Sequence, residues 1–299
     1  MKTQFQDKIP LFDLHCDTVS ELYKRNLSLY DSNLHISLKK ALPFSPYIQV
    51  ASIWTDKNDT DDEGYHHFLK CVEYFENQKH ALGTAKFILG VEDARILNND
   101  ISKLQVLFDR GVRVLTLSWK GNTCIGGGWD TDMPLTHFGK QVVLKCAELG
   151  IVVDLSHASV DVQKQVINLA HHHQFIPIFS HSNSYSVCQH KRNISDNAFK
   201  QIASLGGLVG ISFCCEHLTI NGDANIFTIL KHIEHFLALG GADTICLGCD
   251  LDGVEHLPDG ICSISDLSKL YTVCTKEFGQ NITEKLFFNN AQNYFTKLL

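Results

Sequence analysis

Six side chains that could bind a metal ion or transfer a proton stand at the ends of apolar runs of strand length. They are His15, Asp17, Glu92, His157, His181 and Asp250. Because residues two apart in a strand point to the same face, His15 and Asp17 can reach one ion. A carboxylate that closes an apolar strand, such as Glu92, is costly to bury unless it is paired or bound to a metal. These residue types indicate a metal site in which Asp250 either binds metal or takes a proton from a metal-bound water.

The two later histidines occupy equivalent positions. His157 follows the run Val152-Val153-Asp154-Leu155-Ser156, and His181 follows Pro177-Ile178-Phe179-Ser180. Either one alone would suit a core histidine that is bonded to a backbone carbonyl. As a pair at equivalent strand ends they favour metal ligation, and neutral imidazole is a ligand that zinc accepts.

Bringing these residues together requires an architecture that gathers strand ends. The strand candidates are Ile9–Leu14, Ile48–Trp54, Phe87–Glu92, Val112–Ser118, Ile151–Ser156, Ile176–Ser180, Leu208–Phe213 and Thr244–Cys249. Helical patterns cover Glu63–Leu82, Ile101–Arg110, Phe138–Leu149, Val160–His171, Asp196–Leu205, Ile226–Leu239, Ser265–Phe278 and Thr283–Leu298. Strands that alternate with helices predict a parallel sheet with right-handed crossovers.

We predict a closed (β/α)8 TIM barrel, formed by a single domain over residues 1–299. An open doubly wound sheet would usually show a Gly-rich phosphate turn after its first strand, where this chain has His15-Cys16-Asp17-Thr18. In a barrel the chemistry collects at the carboxyl ends of the strands, so the six side chains would meet there.

Composition and charge exclude several classes of protein. The 299 residues are 44% hydrophobic and 20% charged, which excludes a disordered or coiled-coil chain. The net charge of -7 and the lack of a Lys/Arg run argue against nucleic-acid binding. The 11 cysteines are scattered and odd in number, which fits reduced thiols rather than a disulfide framework. With no apolar leader and no apolar stretch of about 18 residues, we expect a cytoplasmic protein without membrane contact.

Two nearby features are interpreted as structural. Cys246 and Cys249 form a C-x-x-C, but they lie within a predicted strand and would point to opposite faces, unlike a redox pair. Asp252 is expected to cap the turn at Gly253.

The motifs around the site residues resemble the membrane (renal-type) dipeptidase family of metallopeptidases, peptidase family M19, among the amidohydrolase-like barrels. The similarity extends over nearly the whole chain. It rests on Asp13-Leu14-His15-Cys16-Asp17, Gly90-Val91-Glu92, Asp154-Leu155-Ser156-His157-Ala158-Ser159, Phe179-Ser180-His181-Ser182-Asn183-Ser184-Tyr185-Ser186-Val187-Cys188, Arg192-Asn193 and Gly248-Cys249-Asp250-Leu251-Asp252-Gly253-Val254.

The resemblance implies a (β/α)8 barrel that holds two zinc ions. By matching motifs, His15 and Asp17 would bind one zinc ion. His157 and His181 would bind the other, and Glu92 would bridge both.

The same resemblance implies the catalytic roles and the substrate. A hydroxide bridging the two zinc ions would attack the peptide carbonyl, and Asp250 would carry its proton to the leaving amine. Arg192 would grip the C-terminal carboxylate of the substrate, a task that suits a bidentate guanidinium. The implied substrates are small dipeptides, with tolerance for a D-residue at the C-terminal position. Family members are often homodimers.

Two positions depart from the family pattern near the substrate. Trp119 stands where animal members carry a substrate-contacting histidine, and its indole N–H can donate one hydrogen bond. Phe213-Cys214-Cys215-Glu216-His217 replaces a stretch that often carries a tyrosine. These departures leave open a metal-dependent amidohydrolase acting on another small amide, such as an N-acyl amino acid or a lactam. A catalytically silent ligand-binding barrel is a third interpretation, which the complete set of site residues disfavours.

Overall fold

A computed structural model of the protein describes residues 8–56 and 58–297 and has an α/β fold. The strands are β1 (Ile9–Cys16), β2 (Phe44–Trp54), β3 (Lys86–Glu92), β4 (Val112–Thr116), β5 (Val152–Asp154), β6 (Val209–Ile211) and β7 (Ile245–Leu247). The α-helices are α1 (Thr18–Arg25), α2 (Asp61–Glu76), α3 (Ser102–Asp109), α4 (His137–Leu149), α5 (Val160–His173), α6 (Asp196–Leu205), α7 (Cys215–Leu218), α8 (Ile226–Ala238), α9 (Leu267–Phe278), α10 (Gln280–Glu284) and α11 (Asn290–Thr296). A π-helical turn, Lys285–Asn289, joins the last two.

The seven strands of the described chain form one parallel sheet in the order β5-β4-β3-β2-β1-β7-β6. The register pairs Trp54 with Glu92, Glu92 with Thr116, and Thr116 with Asp154. The carboxyl ends of β2 to β5 therefore lie in one row, and Glu92 stands within it.

Two apolar clusters lie on the two faces of the sheet, because side chains alternate along each strand. In β1, Leu11 packs into the larger cluster with the helices, whereas Phe12 and Leu14 belong to the smaller one. The smaller cluster also contains Tyr294 and Phe295 of α11, and the Phe295 ring centroid lies 5.1 Å from that of Phe12. One face of the sheet is thus covered by helices, and the other packs its own side chains against the last described helix.

The predicted strand Ile176–Ser180 is not a regular strand in the structure. It makes isolated parallel bridges, which join Asp154 to Ile178 on one side and Phe179 to Val209 on the other. Pro177 has no N–H to donate, so a continuous ladder cannot run through it. The parallel α/β architecture is confirmed, with seven strands rather than the predicted eight in residues 8–56 and 58–297.

The other predicted elements are present with shifted ends, and α1 and α7 are additional. The predicted helix Thr283–Leu298 starts earlier, at Gln280, and includes the π-helical turn; Leu298 lies outside the described residues. Gly150 and Gly206 end their helices with φ of 75° and 78°, a left-handed conformation that glycine adopts freely.

No helix in the part of the chain that the structure describes combines the length and apolar character needed to cross a membrane.

A buried histidine ties α8 to the loop after residue 180. The Nδ1 of His232 accepts a hydrogen bond from the N–H of Ser184, and its Nε2 donates to the carbonyl of Leu218, both at 3.1 Å. Burial lowers the pKa of His232 to about 4, although the bond to Leu218 opposes this. The imidazole is therefore neutral at physiological pH.

We predict that His232→Leu destabilises the protein by about 2–4 kcal/mol, because it leaves two buried backbone groups unpaired. Wild-type stability should fall as pH drops from about 6.5 towards 4, because the unfolded chain then binds a proton that folded His232 excludes. The variant lacks this contribution, so its stability should depend less steeply on pH, by up to about 1.4 kcal/mol per pH unit. Urea unfolding at several pH values measures both effects.

The matched control is His235→Leu, because His235 lies on the same helix but is partly exposed, where it pairs with Asp196 at 2.8 Å. An equal loss of stability in both variants would contradict the role assigned to His232.

Candidate active site

The structure brings together all six side chains that the sequence indicates for metal binding and proton transfer. Each side chain lies at or just after the carboxyl end of a strand, or just after the bridged residues 178–179. His15 lies in β1, Asp17 after β1, Glu92 in β3, His157 after β5, His181 after residues 178–179, and Asp250 after β7.

The carboxylate of Glu92 lies at the centre of this cluster. Its Oε1 is 2.9 Å from Nε2 of His157 and 3.6 Å from Nε2 of His181. Its Oε2 is 3.4 Å from Nε2 of His15. One oxygen of this carboxylate thus faces two imidazoles, and the other oxygen faces a third.

His15 also faces two further carboxylates. Its Nε2 is 3.9 Å from Oδ1 of Asp17 and 3.8 Å from Oδ1 of Asp250. Within the described residues, two triads have donor atoms close enough to share an ion: His15 with Glu92 and His181, and His15 with Asp17 and Asp250. The two triads are adjacent, because His15 belongs to both.

The donor atoms fit divalent cations. In residues 8–56 and 58–297, the buried Nε2 of His15 and Oδ1 of Asp17 have no hydrogen-bond partner. A buried polar atom without a partner costs about 1–3 kcal/mol, so a bound cation would remove a penalty at each. Imidazole nitrogens combined with carboxylate oxygens are a donor set that zinc accepts.

Burial and mutual charge set the protonation of the cluster. Burial disfavours the charged form of His15, but the surrounding carboxylates, chiefly Glu92, raise the pKa of His15 to about 10. Burial lowers the pKa of His157 to about 4. Burial raises the pKa of Asp250 to about 6, although His15 opposes the rise. A buried group of carboxylates with few compensating charges favours a bound cation.

Two of the six residues have a left-handed backbone conformation. The φ angle is 66° at His157 and 62° at Asp250. This conformation costs a residue with a Cβ about 1–2 kcal/mol, so the surrounding packing must hold it. Such strain is often found at functional sites.

A buried carboxylate joins β1 and β7 beneath the site. Asp13 accepts hydrogen bonds from the N–H of Cys249 at 2.8 Å and from Nε2 of Gln49 at 2.9 Å. The N–H of Asp250 in turn donates to the carbonyl of His15 at 3.1 Å. These bonds fix the relative positions of His15 and Asp250.

Asp252 has the structural role expected of it, but its partners differ from the expected turn. Its carboxylate accepts hydrogen bonds from Oγ1 of Thr18 at 2.7 Å and from the N–H groups of His35 at 2.5 Å and Ile36 at 3.3 Å. It therefore fastens the loop at residues 35–36 to the start of α1 rather than capping its own turn.

A cavity of about 700 Å³ opens onto the cluster, and both predicted substrate-binding residues lie in its wall. Arg192 is buried, and its Nη2 donates to the carbonyl of His181 at 3.4 Å. The ring of Trp119 packs 5.9 Å from that of His157. Asp250 lines the same cavity.

Three further cavity residues are not predicted by the sequence as substrate contacts: Trp54, Trp129 and His217. Trp54 ends β2 opposite Glu92, so its strand-end position could have indicated it. Its ring packs against Trp119 at 5.5 Å. Burial lowers the pKa of His217 far below its usual range, so this imidazole is neutral. Three tryptophans, Trp54, Trp119 and Trp129, thus share the cavity wall with the charged residues of the cluster.

Comparison with known families agrees with this site. A model of the membrane dipeptidase family, peptidase family M19, matches residues 76–297. The chain belongs to this family. The match covers most of the chain and four of the six clustered residues, and His15 and Asp17 precede it. The interpretation of the sequence as a metallo-dipeptidase, a hydrolase of peptide bonds, is thus confirmed at the level of the membrane dipeptidase family.

Solved structures share the fold over almost the whole chain. A metallopeptidase from Rhodobacter sphaeroides, liganded with a phosphinate mimic of the dipeptide L-Ala-D-Ala, is 21% identical, with a TM-score of 0.90 over 98% of this chain and 100% of that one. A metallopeptidase of family M19 called dipeptidase AC is 22% identical, with a TM-score of 0.90 over 98% and 99%. An amidohydrolase from Pseudomonas aeruginosa is 18% identical, with a TM-score of 0.76 over 98% and 97%. At these identities the similarity is one of fold.

We predict that added Zn²⁺ stabilises the protein relative to its chelated form, by about 2.7 kcal/mol when free zinc is 100-fold above Kd. The ion would satisfy the buried donors and neutralise the carboxylates. Thermal unfolding with and without zinc measures the effect.

Glu92→Gln should lose most of that stabilisation, because its carboxylate lies between the imidazoles. Glu148→Gln is the control for loss of a carboxylate, since Glu148 lies at the surface beside Lys145. Equal stabilisation of both variants by zinc would exclude Glu92 from the metal site.

Proposed function

We propose that this member of the family is a zinc-dependent dipeptidase with two metal ions per chain. The observation that supports it best is the split contact of Glu92, whose Oε1 faces His157 and His181 while its Oε2 faces His15. A carboxylate shared in this way can bridge two cations, as binuclear hydrolase sites require.

The ligand groups follow from these contacts. His15 and Asp17 would hold one zinc ion, His157 and His181 would hold the other, and Glu92 would serve both. Zinc bound there supplies Lewis acidity, which polarises a peptide carbonyl and acidifies water.

Asp250 is the proposed proton carrier. Its Oδ1 lies 3.8 Å from Nε2 of His15, and its side chain lines the cavity. It therefore lies between the metal-binding residues and the space for the substrate. A carboxylate in this position can accept the proton of the attacking water and deliver it to the leaving amine.

Arg192 is the proposed anchor for the C-terminal carboxylate of a dipeptide. Its guanidinium is buried in the cavity wall, and its Nε has no hydrogen-bond partner among the residues described. A planar guanidinium can bind a carboxylate through two parallel hydrogen bonds, one of them from this Nε. Trp119 would contact the substrate from the same cavity. The L-Ala-D-Ala mimic in the Rhodobacter sphaeroides relative supports L,L- and L,D-dipeptides as substrates.

We also infer that the sheet closes into a (β/α)8 barrel within a single domain over residues 1–299. The bridges of residues 178–179 to β5 and β6 support closure, because those strands are the two edges of the seven-stranded sheet. The bridged segment would be the sixth strand in chain order. The cytoplasmic location and the homodimer stay predictions from the sequence.

We predict that the zinc-loaded protein hydrolyses L,L- and L,D-dipeptides, and that a chelator abolishes the activity. C-terminal amides of the same dipeptides should be about 10- to 100-fold poorer in kcat/KM, because Arg192 loses a charged hydrogen-bond partner. Chromatography of the released amino acids measures both.

The same panel includes N-acyl amino acids and a lactam. A preference for one of these over every free dipeptide would favour the alternative amidohydrolase. Stoichiometric zinc without turnover of any amide would favour the silent barrel.

We predict that Asp250→Asn lowers kcat by about 100- to 10,000-fold, because an amide cannot accept the proton. Zinc content should stay at the wild-type level, since the other five side chains supply the ligands. Asp161→Asn on the exposed first turn of α5 is the control. Hydrolysis at the wild-type rate by Asp250→Asn would exclude the assigned role.

A further inference from the structure

A second buried carboxylate, Asp154, ends β5 beneath the cluster of six candidate site residues. It is fully buried and receives four hydrogen bonds. Its Oδ1 accepts from the N–H groups of Ser156 and Ser180, both at 2.9 Å. Its Oδ2 accepts from the hydroxyls of Thr116 and Ser180, both at 2.6 Å. The position of this carboxylate is therefore fixed from several directions.

One of these donors also contacts a histidine of the cluster of six candidate site residues. Oγ of Ser180 lies 2.7 Å from Nδ1 of His181. A serine hydroxyl has one hydrogen, and an ionised carboxylate can only accept it. Since Ser180 donates that hydrogen to Asp154, its oxygen accepts from His181, and Nδ1 of His181 carries the ring proton. The lone pair of Nε2 is then directed at the cluster, where Nε2 of His157 lies 2.8 Å away.

The other two histidines of the cluster have weaker support. Nδ1 of His15 lies 3.3 Å from Oγ of Ser52, a neutral partner. The buried Nδ1 of His157 has no hydrogen-bond partner in the chain as described. Of the three, it is His181 whose ring is linked through a hydroxyl to a buried carboxylate.

We propose that Asp154 is a positioning residue for metal binding: acting through Ser180, it holds His181 in the Nδ1–H tautomer, so that Nε2 is ready to bind zinc. This inference rests on the assignment of His181 as a zinc ligand in the proposed function. A hydrogen bond from the second ring nitrogen fixes the orientation of a metal-binding imidazole and raises its basicity. Loss of such a partner typically weakens metal binding about 10- to 100-fold.

The chain offers a matched pair of variants for the test. Ser180→Ala and Thr116→Val each remove one hydroxyl that donates to Oδ2 of Asp154 at 2.6 Å. Of these two hydroxyls, that of Ser180 contacts His181. Each variant therefore removes one hydrogen bond to Asp154, and Ser180→Ala also removes the contact with the imidazole and a 3.3 Å contact with Oγ of Ser156.

The first measurement is zinc affinity, obtained by competition with a chromophoric chelator. We expect Ser180→Ala to weaken the binding of zinc about 10- to 100-fold. Thr116→Val should stay within about threefold of the wild type, because the His181 contact is intact. Equal weakening in both variants, or none in Ser180→Ala, would overturn the proposal.

The second measurement observes the His181 ring in the wild-type protein. In metal-free wild-type protein with ¹⁵N-labelled histidine, the His181 signals should report a proton on Nδ1 and none on Nε2. Their assignment comes from the signals missing in His181→Gln. A proton on Nε2 of His181 in the wild type would overturn the proposal.

These readouts separate this inference from the proposed function. Zinc affinity and ring tautomer are measured without a substrate, so failure to cleave dipeptides would leave both results intact. If zinc binds wild type and His181→Gln equally well, His181 is not a ligand, and the proposed function fails together with this inference.

Discussion

Glu92 is an anion buried at the end of an apolar strand, and the surrounding elements make that burial possible. Burial alone would raise its pKa, yet His15 and His157 hold the pKa of Glu92 below its usual range. A buried charge persists only when partners surround it. The parallel register supplies them, because it places strand ends from different parts of the chain in one row. The need to pair this carboxylate thus links the fold to the metal chemistry of the family.

Further buried carboxylates lie one layer below the six candidate site residues. Asp13 joins β1 to β7, and Asp154 joins β5 to the segment that carries His181. Both accept hydrogen bonds from backbone N–H groups of a neighbouring segment, so these bonds fix the spacing of the strand ends. The cavity wall combines three tryptophans with nine charged side chains. A small polar substrate would therefore contact apolar rings and charged groups together, among them Arg192 and Asp250.

The cluster of candidate metal ligands could be predicted from the sequence, because polar residues that follow apolar runs in parallel strands must lie at the same edge of the sheet. The same argument reaches Trp54, which ends β2. It does not reach His217, because the direction of the short helix Cys215–Leu218 depends on packing that the sequence does not reveal. The irregular segment at residues 176–180 has the composition of a strand, and its ladder is interrupted where Pro177 lacks a donor. The left-handed turn at His157 has no glycine to mark it.

The packing of α11 affects how this protein can be synthesised. Oη of Tyr294 donates to the carbonyl of Ile176 at 2.5 Å, and Phe295 packs on Phe12 of β1. β1 is synthesised shortly before its neighbour β2 but well before β7 and α11, which also pack against it. Until β7 and α11 are synthesised, the apolar side chains of β1 lack the partners that these elements supply, which exposes the nascent chain to aggregation. The active site is therefore complete only after β7 and α11 have packed against the first strand, so its assembly depends on contacts between distant parts of the chain.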